Sequence, residues 1–361
     1  MDPAAFARTR TLSEARLGRV APEQRRRDLT AAPGGGEEEW KDMADAYWDR
    51  LRTLFLEHAH LGADHPDART PDPELAARLR APREGEARYS APAARVRDVT
   101  VDHATGSCAV RVYTPETDAD GRPLFVWCHG GAWAAGDLEG PEADATAREV
   151  CVRADAVVVS VDYRLAKDGV HYPVPLDDVV AAYLWAVDKA KDLGADPARV
   201  TLGGASAGGN LAAGAALRVR DEGAPMPAAL LLAYPCLHPE LPPASPELQE
   251  KLDRLSPAAA FAPHLLTPIV ENYLGAPISE ATPYAMPGLA DDLTGLPPTM
   301  IINDEYDGLR ASGEHFARQL REAGVEVVLD TVPDVDHGHL ARPALPQLEQ
   351  TYADMARWVK G

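Results

Sequence analysis

Aromatic residues make up only 6% of the 361 positions, so the core must be aliphatic, drawn from the 45% of hydrophobic residues and mainly from Ala, Val and Leu. Cysteine is equally scarce. The four present are Cys108, Cys128, Cys151 and Cys236, and none forms a C-x-x-C pair. They are expected as buried free thiols, which argues against a disulfide framework or a zinc ribbon. Lysine falls to six residues against thirty arginines, a base-composition bias rather than a chemical signal. No apolar run reaches the ~18 residues of a membrane span. The N-terminal arginines precede no apolar stretch of the signal-peptide kind. Neither G-x-G-x-x-G nor G-x-x-x-x-G-K-[ST] occurs, so nucleotide binding is not expected. Positive charge is in deficit, and the formal net charge of -20 repels nucleic acid and anionic membrane surfaces. The expectation is a soluble cytoplasmic protein with no nucleic-acid partner and no membrane span.

What is present falls into regions. Residues 1–36 are rich in Ala and Arg, run into APGGGEEE (32–39) and read as a mobile tail. The run Arg25 to Arg27 is flanked by Glu23 and Asp28, so it reads as a solvated segment. From Trp40 to Leu61 apolar residues recur at helical spacing, with Met43, Tyr47, Leu51 and Leu54 on one face, and a short helix is expected at 73–80. His58, His60 and His65 lie between these helices without the Cys or carboxylate spacing of a metal site.

From residue 95 the pattern changes. RVRDVTVD (95–102) and CAVRVYTP (108–115) alternate like half-buried strands, whereas LFVWCHG (124–130) and AVVVSVDY (156–163) are continuous apolar runs, as in strands buried on both faces. Further strands are expected at 199–203, 228–234, 298–303 and 326–332. Helices are expected at 142–153, 176–191, 206–221, 310–323 and 347–359. Strand and helix alternate, which predicts an α/β fold with a mostly parallel central sheet and helices on both faces. The Pro-rich stretch 237–290 breaks the alternation, with short helices expected near 246–255 and 264–274. An insertion of that length between sheet strands is usually a lid or binding element.

One serine stands at a predicted strand-to-helix joint. Gly204-Ala205-Ser206-Ala207-Gly208 fits G-x-S-x-G, in which small neighbours let a sharp turn close and push the hydroxyl out at a helix N-terminus. Free N–H groups and the helix dipole favour negative charge there. CHGGAW (128–133) follows an apolar strand, and the amides of Gly130 and Gly131 are expected to bind an oxyanion together with that of Ala207. A serine hydroxyl needs a base, and histidine serves near neutral pH. His337 follows the last predicted strand, with His339 as its neighbouring rival. Asp304, Glu305 and Asp307 follow another strand and offer the acid that orients the base.

In combination these motifs resemble the hormone-sensitive-lipase-like family of α/β-hydrolases over residues 95–361. HGGAW resembles that family's oxyanion signature and GASAGGN its nucleophile turn. DYRLA (162–166) and YPVPLDD (172–178) resemble the stretch between them. Asp307-Gly308-Leu309-Arg310 resembles the family's D-P-L-R acid loop, which selects Asp307, and His337-Gly338 resembles its H-G-F base, which selects His337. The chain departs from the family at Ala205, where an acid is usual, at Gly308, where proline is usual, and at His339, where phenylalanine is common. The resemblance implies an α/β-hydrolase fold at 95–361 with a helical cap built from residues 37–94 and the insertion at 237–290. It implies a serine carboxylesterase acting on small to medium acyl esters through Ser206, His337 and Asp307, with no metal and no cofactor. Trp133 and residues near 261–273 are expected to line the substrate pocket. An acyltransferase, amidase or lactonase on the same fold is the alternative, and a binding module that has lost its base is disfavoured by the presence of His337. Nothing in the sequence chooses between a monomer and a homodimer.

Overall fold

The computed structural model describes residues 72–80, 89–256 and 259–361. The tail at 1–36, the Trp40–Leu61 helix and the histidines at 58, 60 and 65 lie outside these residues. The expected short helix is present as α1 (Pro73–Arg80).

An eight-stranded sheet forms the centre, built of β1 (Arg95–His103), β2 (Gly106–Thr114), β3 (Arg122–Cys128), β4 (Val157–Asp162), β5 (Ala195–Ala205), β6 (Ala229–Ala233), β7 (Thr299–Tyr306) and β8 (Val327–Asp336), in the order β1-β2-β4-β3-β5-β6-β7-β8. β2 runs antiparallel to both of its neighbours, and every other pairing is parallel. The antiparallel pair at the edge carries the alternating sequences, and the continuous apolar runs occupy the interior. All seven residues of β3 are buried. Its side chains alternate between two cores. Leu124, Val126 and Cys128 face one core, to which α3 (Val174–Lys189), α4 (Ala207–Asp221) and α7 (Arg310–Glu322) contribute Val179, Leu211 and Phe316. Phe125 and Trp127 face the other, filled by Val150 and Cys151 of α2 (Pro141–Ala154) and Tyr352 and Met355 of α8 (Gln347–Lys360). Helices therefore cover both faces of the sheet, which burial of its central strands requires.

The stretch between β6 and β7 carries α5 (Pro246–Leu252) and α6 (Pro263–Leu274), close to the two helices expected there. α1 joins this insertion through a small apolar cluster of Leu75, Leu79, Leu255 and Tyr306.

β8 differs from its predicted extent. Pro333 and Asp334 suggest an end at 332, yet the strand continues to Asp336. A register shift between Asp304 and Tyr306 absorbs the irregularity, Asp334 adopts φ 58°, and the Glu305 carboxylate accepts its amide at 2.7 Å. Tyr306 then pairs with Asp336, so the residues that follow, Asp307 and His337, leave the sheet side by side.

Candidate active site

Parallel strands bring their C-terminal ends to one edge of the sheet. β5 ends at Ala205, and Gly204 pairs with Cys128 at the end of β3. Ala205 pairs with Ala233 at the end of β6. The loops that begin at His129, Ser206, Tyr234, Asp307 and His337 therefore share one site.

Ser206 adopts φ 53° and ψ −115°, a strained backbone for a side-chain-bearing residue, held by its amide donating to Ala233 O at 2.8 Å. The flanking glycines are required by contact. A Cβ on Gly204 would lie 2.3 Å from the Gly208 carbonyl, and one on Gly208 would lie 2.2 Å from Cys128 O. The first turn of α4 thus sits directly against the end of β3.

His337 Nε2 accepts from the Ser206 hydroxyl across 3.0 Å, and its Nδ1 donates to Asp307 Oδ2 at 2.8 Å. The other carboxylate oxygen of Asp307 accepts the Leu309 amide at 2.8 Å. Asp307 is fully buried, which pushes its carboxyl up from the ordinary range against the opposing pull of His337. Burial alone would lower the pKa of the His337 ring. The charge and hydrogen bond of Asp307, with further contributions from Asp304 and Glu142, outweigh it and hold the ring above the usual imidazole value. The rings of Tyr234 and Phe261 meet the imidazole edge-on at 5.0 Å and 4.6 Å.

Each of the other candidate acids has a different task. Glu305 pairs with Lys251 of the insertion and with the Asp334 amide. Asp304 accepts the Gly338 amide at 2.8 Å and faces His339 Nδ1 at 2.5 Å. His339 is fully buried away from Ser206, with its Nε2 at 3.3 Å from Thr351 Oγ1 of α8.

The expected oxyanion donors need one correction. The Gly130 amide donates to the buried Glu142 carboxylate at 2.5 Å, so it is already occupied. The Tyr234 hydroxyl donates to the other oxygen of Glu142 at 2.7 Å. Among the described residues the amides of Gly131, Ala132 and Ala207 make no hydrogen bond. Gly131 at φ 115° and Ala132 at φ 52° turn the chain so that consecutive amides follow Gly130. Sequence reading did not find Glu142, which stands 12 residues beyond Gly130 in a helix without a motif.

Trp133 is 1% exposed. Its ring stacks on Tyr273 of α6 at 4.4 Å, and its indole N–H donates to Asn210 Oδ1 at 3.2 Å. Asn210, the last residue of GASAGGN, donates in turn to the carbonyls of Cys236 and Ala285, both at 2.9 Å. The DYRLA and YPVPLDD motifs meet through Arg164, which forks onto Asp178, while the Tyr163 hydroxyl donates to His129 O at 2.9 Å.

A family model described as alpha/beta hydrolase fold matches residues 125–341. Carboxylesterase NlhH of Mycobacterium tuberculosis is 39% identical over 258 residues, covering 69% of this chain and 76% of that protein. Esterase LipI of the same organism is 35% identical over 253 residues, with the same two coverages of 69% and 76%. Among solved structures, an esterase of Pyrobaculum calidifontis gives a TM-score of 0.69 at 29% identity, covering 88% of this chain and 92% of that one. EstE1, a thermostable carboxylesterase cloned from a metagenomic library, gives 0.69 at 31% identity, covering 81% and 97%.

Proposed function

The chain belongs to the hormone-sensitive-lipase-like family of α/β-hydrolases and is a carboxylesterase-type hydrolase, and on that premise we propose that Ser206, His337 and Asp307 carry the reaction through an acyl-enzyme on esters of small to medium acyl chains. The observation that carries this reading is the unbroken hydrogen-bonded chain from Asp307 through His337 to Ser206.

His337 takes the Ser206 proton as Oγ attacks the ester carbonyl. Asp307 fixes the ring and stabilises its charged form. The developing oxyanion is met by the amides of Gly131, Ala132 and Ala207, which no other group occupies among the described residues, and by the positive end of α4. His337 then gives the proton to the departing alcohol, and the acyl group stays on Oγ. Water, deprotonated by the same imidazole, releases the acid and restores the hydroxyl. The insertion and α1 act as a cap over this edge, a role supported by the Phe261 contact with the His337 ring and by the cluster the two share. A cytoplasmic setting is supported by four free and buried thiols.

Ser206→Ala and His337→Ala should each lower kcat on short p-nitrophenyl esters by at least about 10⁴-fold. In the wild type, kcat/KM should rise with pH as His337 loses its proton, with a midpoint above the ordinary 6.5 of histidine. Ser206→Ala turning over these esters at the wild-type rate would refute the reading.

A further inference from the structure

A second buried carboxylate–imidazole pair lies beside the first, and the reaction as described does not use it. Asp304 and His339 are both fully buried, with Asp304 Oδ1 and His339 Nδ1 2.5 Å apart. The other oxygen of Asp304 accepts the amides of Gly338 and His339 at 2.8 Å and 3.3 Å. These amides belong to the two residues that follow His337, so Asp304 grips the backbone of the loop whose side chain Asp307 grips. The two carboxylates also converge. One oxygen of Asp304, one of Asp307 and a ring nitrogen of His337 all lie within 4.8 Å of one another. His339 occupies the position where the family commonly has phenylalanine, which has no donor for such a carboxylate.

A buried carboxylate is tolerated only when it is hydrogen-bonded, and here the donors are two backbone amides on one oxygen. His339 Nδ1 packs against the other oxygen of Asp304, and the Asp304 charge is among those that raise the His337 pKa. We propose that Asp304, held by the amides of Gly338 and His339, is a positioning residue that fixes the His337 loop and supplies a second negative charge to stabilise the imidazolium formed as Ser206 attacks. The proposal rests on the catalytic reading of Ser206 and His337.

Among the described residues the charges acting on His337 come from the end of β7 and from α2. β7 presents Asp304 and Asp307, and α2 presents Glu142, which also raises the His337 pKa. The loop after β6 presents the Tyr234 ring, edge-on to both imidazoles at 5.0 Å and 5.4 Å. The insertion presents the apolar Phe261 ring at 4.6 Å, and α4 begins at the neutral Ser206. Removing the Asp304 charge should make the His337 imidazolium less stable and lower its pKa.

The test compares Asp304→Asn, which keeps an acceptor for the Gly338 amide, with His339→Phe, which keeps the carboxylate and both its amide bonds. The readout is the His337 ring-proton titration by NMR in the resting enzyme, together with kcat and KM on a short p-nitrophenyl ester. Asp304→Asn should lower the His337 pKa by about one unit. The corresponding effect on kcat is a loss of about tenfold, with KM within about twofold. His339→Phe should not lower the titration. An Asp304→Asn protein that melts like the wild type and titrates at the wild-type pH overturns the proposal, as does an equal drop in both variants. If Asp304→Asn does not fold, the wild-type proton spectrum decides. A Gly338 amide proton that is downfield-shifted and protected from exchange in both the wild type and Ser206→Ala supports the proposal, and an unprotected one in the wild type overturns it. These NMR readouts do not depend on ester turnover, so failure of the catalytic reading is seen separately, in the activity of Ser206→Ala.

Discussion

Gly131 holds φ 115°, and a Cβ there would lie 2.2 Å from Ala135 O. Gly131→Ala must move the turn that aims the amides of Gly131 and Ala132. Loss of one such donor lowers turnover by about 10²–10³-fold, so kcat should fall by at least that factor while the far-UV spectrum is unchanged. Steady-state kinetics on purified variant checks it. At this scale the sequence was partly legible. The G-x-S-x-G and H-G-G patterns pointed to backbone that only small residues permit, and both turns are where the patterns put them. The capture of the Gly130 amide by Glu142 was not legible, because it depends on how α2 packs under β3 rather than on any local pattern. The departure at Gly308 also becomes intelligible: a Cβ there would lie 2.0 Å from Ala260 O, so glycine lets the insertion approach the acid loop.

At the scale of elements, the insertion is tied to the body by side chains from motifs read as catalytic. Trp133 stacks on Tyr273, and Asn210 anchors both Trp133 and the loop at Ala285. The Asn272 amide donates to Ala166 O at 2.8 Å, and the Tyr172 amide donates to Tyr273 O at 2.8 Å. Trp133 was expected to line the substrate pocket together with residues near 261–273. The indole is buried and stacks on Tyr273 of α6. Among the described residues the buried Tyr273 hydroxyl has no hydrogen-bond partner. Tyr273→Phe should therefore be neutral or slightly stabilising. Tyr273→Ala should lose about 3–5 kcal/mol, the usual range for removing a large buried aromatic ring. Denaturant unfolding of the two variants distinguishes them, and equal losses would show that the stack contributes little. The element pattern itself was readable, because strands buried on both faces need continuous apolar runs and helices need a 3.6-residue period. Strand ends were less readable: β5 runs from Ala195 to Ala205 where 199–203 was expected, and β8 passes Pro333 and Asp334, which suggest a stop that pairing with β7 overrides.

For the molecule as a whole, the α/β alternation fixes where chemistry can occur. Strands β3, β5, β6, β7 and β8 run parallel, so the residues at their C-terminal ends meet whatever their separation in the chain. Ser206 and His337 are 131 residues apart and Asp307 and His337 are 30 apart, yet they form one hydrogen-bonded line. Motif and strand end coincide at Ser206, while the family resemblance was needed to select Asp307 over Asp304 and Glu305 and His337 over His339. Asp304 was legible only as a rival acid, because its partners gather only once β7 and β8 are paired. The four thiols play no part in this line. All are buried, and desolvation pushes Cys108, Cys151 and Cys236 up to about 12, which leaves them unreactive as thiolates near neutral pH. Among the described residues no helix is long and apolar enough to cross a membrane. The central claim, that the fold activates one hydroxyl out of many, is tested most directly by treating the native protein with an aryl fluorophosphonate and mapping the label by peptide mass spectrometry. The account predicts a single label on Ser206, absent in Ser206→Ala and strongly slowed in His337→Ala. A label on another residue, or an unlabelled wild type that still hydrolyses esters, would contradict it.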